Sequence, residues 1–368
     1  GALRDPMARI AGLLDHSRAT VVAVDVPSGV DASTGAVAGA AVRADVTVTF
    51  GALKAGLLVD PGAEHAGLIE CIDIGLDLPP ANLSALDAED LAHLLPSPEG
   101  DSDKYRRGVL GVVAGSDDYP GAAQLAVGGA LAAGIGMVRF ASSRNAAEAV
   151  RRRWPEAIVT EAMADVGRVQ AWVVGPGLGT GSDAKSLVEA ALASDVPVLL
   201  DADAITIVAA EPALLAGRAA PTLLTPHAGE FARLVGVDRD QVEANRLTAA
   251  REAAHSLGVT VLLKGSTTLV ADPSGEVRVN TAATPYLATA GSGDVLSGVC
   301  GALLARGLSA LDAGAAGAFL HGLAGLLASG SPAASITASN VVRALPEAAR
   351  SLGGSLAPPA AARKPRPP

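Results

Sequence analysis

The 368 residues are 49% hydrophobic and 18% charged, which excludes a disordered chain and allows large buried cores; the length suits about two domains. A net charge of -10 argues against nucleic acid or an anionic membrane surface as the main partner, so any phosphate ligand must be held by local groups. Gly, Asp and Arg break every apolar run before it reaches bilayer length, and Cys71 and Cys300, both in apolar surroundings, read as buried thiols of a reducing compartment.

Residues 1–80 read as a small α/β unit, with a helix over LRDPMARIAGLLDH and strands in TVVAVDVPSG, ADVTVTFG and LIECIDIG. The first residue is Gly1, so a targeting signal further upstream stays open. Strand VVAVDV ends in a carboxylate and breaks at Pro27, Ser28 and Gly29, setting Asp25 and Ser28 at the carboxyl edge of a sheet, where α/β folds bind ligands; a plain strand-ending turn gives the same pattern. Lys54 reads as a solvated lysine. Residues 81–103, with prolines at both ends and a short capped helical turn, read as a linker.

Strands and helices alternate over 104–353, which predicts one doubly wound domain with a mostly parallel sheet and a hairpin, TTLVAD and EVRVN, near its edge. QVEANRLTAAREAAHSLG predicts a single helix. His321, inside a helix of glycines and alanines, reads as a hydrogen-bonded core histidine. The Pro- and Ala-rich tail, 354–368, is expected to be disordered.

The strong loop motifs each follow a strand. In ATAGSGDVLSGV, Gly291, Ser292 and Gly293 precede Asp294 and an apolar run, a tight loop feeding a helix N-terminus whose free N–H groups can hold phosphate. There Asp294 is either an ordinary cap or a general base for an attacking hydroxyl. GPGLGTG, from Gly175, with Asp201 after the next strand, raises a dinucleotide fingerprint, but its glycine spacing fits poorly. TPHAGE reads as a capping box closed by Glu230, or as a loop that presents His227 to a ligand. LLKGSTT sets Lys264 and three hydroxyls at a strand end, suited to a nucleotide or merely solvated.

With VAGSDDYPGAA, GPGLG, DAD, TPHAGE, KGSTT and GSGD in this order, residues 104–353 closely resemble the ADP-dependent NAD(P)H-hydrate dehydratases of the ribokinase-like superfamily. VDVPSGVDASTG makes residues 1–80 resemble the second half of an NAD(P)H-hydrate epimerase domain, a partial Rossmann-like unit; the Asn/Gly-rich motif of that family is absent from the chain. The resemblance implies Asp294 as catalytic base contacting the hydrate and Gly293 at the phosphates. It implies an adenine-nucleotide site at Lys264, Gly265, Ser266, Thr267 and Thr268, and substrate contacts at Ala122, Gly177 and His227. In the epimerase part it implies Asp25 as substrate contact and acid or base, and Ser28 as a potassium ligand. Ser292 stands where the family often has Thr, keeping the hydroxyl.

The cofactors so implied are ADP with Mg2+, and K+ for the epimerase; the partners are NAD(P)H hydrate and adenine nucleotide, in a cytoplasmic homo-oligomer that binds neither nucleic acid nor membrane. A ribokinase-like small-molecule kinase of thiazole or hydroxymethylpyrimidine type is the alternative, since it would use the same Asp and anion hole. A non-catalytic nucleotide-binding protein and an NAD-dependent oxidoreductase stand further off.

Overall fold

The structure, a computed structural model, describes residues 1–95 and 103–352; the expected disordered tail and part of the linker lie outside the described residues. It contains two sheets. In the first, β1 (Val22–Val24), β2 (Val46–Phe50) and β3 (Leu68–Ile72) run parallel in that order. Cys71, expected to be buried, is exposed: it shares a sheet face with the buried Thr49, but β3 is the edge strand of this small sheet and is left largely open. Cys300 is buried, and burial pushes its thiol pKa well up.

The second sheet has ten strands. They are β4 (Leu83–Ala85), β5 (Val109–Val113), β6 (Met137–Ala141), β7 (Ile158–Thr160), β8 (Ala171–Val174), β9 (Val198–Leu200), β10 (Thr222–Leu224), β11 (Thr260–Leu263), β12 (Thr268–Ala271) and β13 (Val277–Asn280). Their order is β4-β13-β12-β11-β10-β9-β8-β5-β6-β7, parallel from β11 through β7, with β12 antiparallel to both its neighbours. β4 falls in the stretch read as linker and pairs parallel with β13, and helix Ala88–Leu94, closed by a capping box of Asp87 and Asp90, sinks Leu91 into the core.

Continuous apolar strands such as AWVV and TVLL are buried along their whole length because helices cover both faces of the sheet. Side chains alternate between two cores: Val112, Val173, Leu199 and Leu223 enter one, and Val113, Val174, Leu200 and Leu224 the other. Helix Ala310–Ser329 is long and apolar enough to cross a bilayer by length and composition alone, yet most of it is buried in the first core. The stretch expected as one helix from Gln241 is two, Arg239–Ala244 and Arg246–Leu257, because Asn245 leaves the helical region at φ -140.

The chain runs outward through β5, β6 and β7, then returns to lay β8 against the other side of β5. That neighbour pair is a topological switch point, where open α/β sheets hold a ligand outside the carboxyl ends of their strands.

Candidate active site

Five adjacent strands, β11, β10, β9, β8 and β5, deliver five of the six loop motifs to one edge of the sheet; GSGD, expected directly after a strand, instead follows a 3₁₀ turn, Pro285–Leu287, beyond β13. Gly291 adopts a left-handed backbone (φ 83), and the next residue starts helix Ser292–Ala305, with Asp294 in its first turn. His321 secures this turn: its Nε2 lies 3.1 Å from Ser292 Oγ and 3.0 Å from the Ser292 carbonyl. The ring is fully enclosed, and burial pulls its pKa down to about 4, as befits a neutral core histidine.

Asp201, just past β9, is 1% exposed, and its two oxygens are held separately. Lys264 Nζ donates to one at 2.9 Å and Ser297 Oγ to the other at 2.6 Å. The dinucleotide fingerprint therefore fails: this carboxylate is consumed inside the protein and cannot take a ribose hydroxyl. Burial works to lower Lys264, but the charges of Asp201 and Glu230 outweigh it and hold the ammonium above its ordinary pKa. Burial, reinforced by the charge of Asp201, raises Asp294 from 3.8 to about 7, against the pull of Lys264. A helix N-terminus stabilises a carboxylate by at most about 1–2 kcal/mol, too little to offset that desolvation.

Gly293 touches the same cluster, for a Cβ added there would stand 3.3 Å from Lys264 Nζ. Hence Asp294, Gly293 and Lys264 share one pocket with Asp201 and Ser297. His227 lies beside it, bridged to Lys264 as a parallel strand residue, with the Lys264 N–H donating to the Pro226 carbonyl at 2.9 Å. The capping box is present, and His227 is itself the cap: its Nδ1 accepts from the N–H groups of Gly229 and Glu230 at 3.0 and 3.2 Å, and Glu230 accepts from the His227 N–H at 2.9 Å. Desolvation lowers the His227 pKa against the opposing charge of Glu230, whose Oε1 lies 3.5 Å from Nε2, and Nδ1, accepting two N–H groups, leaves the proton of the neutral ring on Nε2.

Ala122 and Gly177 meet at the switch point. Gly177 has φ +63, and a Cβ there would stand 2.8 Å from the Ala122 Cβ. The Gly115 N–H donates to the Pro176 carbonyl at 2.7 Å, and Asp203 accepts from the Gly179 N–H at 2.8 Å, so both loops are tied down. A cavity of about 540 Å³ opens beside them, lined by Gly115, Ser116, Ser142, Glu161 and Leu178 among others.

The hairpin loop Lys264–Thr268 is braced by Arg246, which is 1% exposed: its Nη2 donates to the carbonyls of Leu263, Lys264 and Thr267. Sequence reasoning passed over Arg246, Ser297 and Asp203. A buried arginine has no local signature, whereas the short spacing of Gly293 and Ser297 on one helix was available to find the second.

Asp25 and Ser28 belong to the other sheet. Asp25 has φ 70 and receives Lys54 Nζ at 2.7 Å and Thr49 Oγ1 at 3.1 Å; the Lys54 hydrogen bond chiefly holds its pKa below the usual value. Lys54 is thus not the solvated lysine expected: it also donates to Thr49 Oγ1 and the Phe50 carbonyl. Ser28 is exposed. Among the described residues no group of three or more His, Cys, Asp or Glu side chains could hold a metal ion.

Residues 110–347 match the family model described as NAD(P)H-hydrate dehydratase, and residues 1–56 that described as YjeF-related protein N-terminus. The chain is 49% identical over 333 residues to the bifunctional NAD(P)H-hydrate repair enzyme Nnr of Mycobacterium leprae, covering 90% of this chain and 68% of that protein. It is 50% identical over 316 residues to its Mycobacterium tuberculosis counterpart, covering 86% and 65%. It thus spans about two thirds of the length of these curated relatives. Among solved structures, an ADP/ATP-dependent NAD(P)H-hydrate dehydratase from Bacillus subtilis, co-crystallised with ATP and Mg2+, superposes with a TM-score of 0.67 at 30% identity over 74% of this chain and 99% of that one.

Proposed function

We propose, for a chain that belongs to the NAD(P)H-hydrate dehydratase family, ADP-dependent dehydration of (S)-NAD(P)H hydrate to NAD(P)H with release of AMP and phosphate. The observation that carries this reading is Asp294: a carboxylate raised to about 7 in the first turn of a helix, beside the half-buried Lys264 ammonium, is poised to accept a proton at neutral pH.

Hydroxide is a poor leaving group, so the hydrate hydroxyl is first phosphorylated. Asp294 takes the hydroxyl proton as the oxygen attacks the terminal phosphoryl of ADP, and the bond to AMP breaks. The helix N-terminus at Gly293 stabilises the spreading negative charge. Phosphate then departs from the ring, and loss of a ring proton restores the dihydropyridine. Ala122, Gly177 and His227 frame the nicotinamide end of the substrate, and the cavity beside Gly177 has room for more of the dinucleotide. Lys264 to Thr268 hold the adenine nucleotide. Magnesium would enter with the nucleotide phosphates and would neutralise part of their charge during phosphoryl transfer.

Family membership favours dehydration over the small-molecule kinase, which would leave a stable phosphorylated product. The unit 1–80, joined through 81–103 to the unit 104–353, contributes to R/S epimerisation in the whole protein, with Asp25 as acid or base and Ser28 supplying an oxygen to potassium. The setting we assign is the cytoplasm.

The test is near-UV absorbance of purified chain mixed with hydrated NADH, Mg2+ and ADP, with a no-nucleotide control. Return of the NADH band with ADP, and its loss in Asp294→Ala, is expected. No return with either ADP or ATP would remove the dehydratase reading.

A further inference from the structure

We propose that Asp60, in the N-terminal unit, is a positioning residue for the nucleotide loop of the large unit, clamping Lys264–Thr268 through groups that Arg246 does not engage. The inference rests on reading that loop as the ADP site. Asp60 is 8% exposed, its carboxylate accepts from Ser266 Oγ, and its N–H donates to Thr267 Oγ1 at 3.1 Å. The contact joins residues more than 200 positions apart in sequence. It is anchored by packing: Val59, fully buried, belongs to the core of the large unit, and Ala55 and Leu58 pack against that core.

The two clamps divide the work. Arg246 occupies the carbonyls of Leu263, Lys264 and Thr267, and Asp60 the hydroxyls of Ser266 and Thr267, while Thr268 Oγ1 donates to the Gly265 carbonyl. What remains are the N–H groups of Gly265, Ser266 and Thr267, which have no acceptor among the described residues. Successive free N–H groups in a fixed turn form an anion-binding concavity, the arrangement a diphosphate needs. A carboxylate near such a site would repel phosphate through space. The hydrogen bond from Ser266 leaves that charge in place, so the order that Asp60 imposes on the loop must outweigh the repulsion.

Calorimetric titration of the full chain with ADP, alongside steady-state kinetics, tests this. Asp60→Ala should raise the ADP Kd and KM at least fivefold with kcat and the hydrate KM little changed. Asp60→Asn, which keeps an acceptor oxygen and the N–H, should stay within about twofold. The double variant Asp60→Ala with Ser266→Ala should bind ADP no more weakly than Ser266→Ala alone. Linkage adds a readout that needs no variant: ADP should slow hydrogen exchange at residues 56–62 as well as in the loop.

An ADP Kd that is unchanged or lowered in Asp60→Ala would overturn the proposal, as would protection confined to the loop, or a wild-type chain that binds no ADP. Because titration and exchange do not depend on turnover, a chain that binds ADP but restores no NADH would end the dehydratase reading while leaving the clamp to stand or fall on its own data.

Discussion

The Lys264 ammonium sits 2.9 Å from the Asp201 carboxylate, on a residue 1% exposed, so these two charges form the fixed electrostatic floor beneath Asp294. Removing one partner of a buried pair leaves an uncompensated charge and costs about 3–5 kcal/mol. Lys264→Met should therefore destabilise the chain by about 3 kcal/mol in denaturant unfolding, the lower end because Ser297 still donates to Asp201. Adding Asp201→Asn should restore most of the loss, and a fully additive double variant would show the pair is not coupled.

Asp294 links activity to pH. Proton abstraction needs the carboxylate, so kcat/KM should rise with pH through about 7, and Asp294→Asn should lower kcat by about 10²–10⁴-fold.

The same shift runs against stability. The native carboxyl keeps its proton from pH about 4 to about 7, while the unfolded one, at 3.8, has released it. Native-state stability therefore falls as pH rises through this window, by up to about 4 kcal/mol. Asp294→Asn removes that loss, so its Tm advantage over the wild type should grow between pH 4 and pH 8. A constant difference would show that the group is not raised.

His227 joins a cap and a proposed ligand contact in one side chain, and two substitutions separate them. Asn can accept from the same N–H groups, so His227→Asn should keep stability within about 0.5 kcal/mol yet raise the hydrate KM; His227→Ala should lose about 1 kcal/mol in addition. Thermal melts and steady-state kinetics on both variants provide the comparison.

Gly177→Ala should close the switch-point crevice. Its Cβ would press on Ala122 at 2.8 Å in a left-handed backbone that costs a side chain about 1–2 kcal/mol. The hydrate KM should rise at least tenfold with the ADP Kd unaltered; an equal rise in both would place Gly177 in global packing instead.

The sequence made the site helix legible because glycines, an acid and an apolar run follow each other within a few residues, and local order suffices to read them. It made the strand ends legible for the same reason. What it hid is long-range. Lys264 finds Asp201 at a separation of 63 residues, and Lys54, read as solvated, pairs with Asp25 across two strands. Arg246 is buried against composition rules because three loop carbonyls consume its Nη2 and Glu243 meets its Nη1. The single helix expected over 241–258 failed at Asn245, where propensity alone would tolerate one residue out of helical geometry.

Strand β4 has a practical consequence for dissecting the protein. Its three residues pair with Val277, Arg278 and Val279, and Ser84 Oγ accepts from Arg278 Nη1 at 2.9 Å. Severing the chain near Tyr105 to isolate the catalytic half would peel away this border strand and bare a row of backbone donors and acceptors on β13, an invitation to self-association. Keeping β13 covered requires a fragment that begins before Asn82, whose carbonyl accepts from the Val277 N–H at 2.9 Å, and keeping the core filled requires Val59 as well.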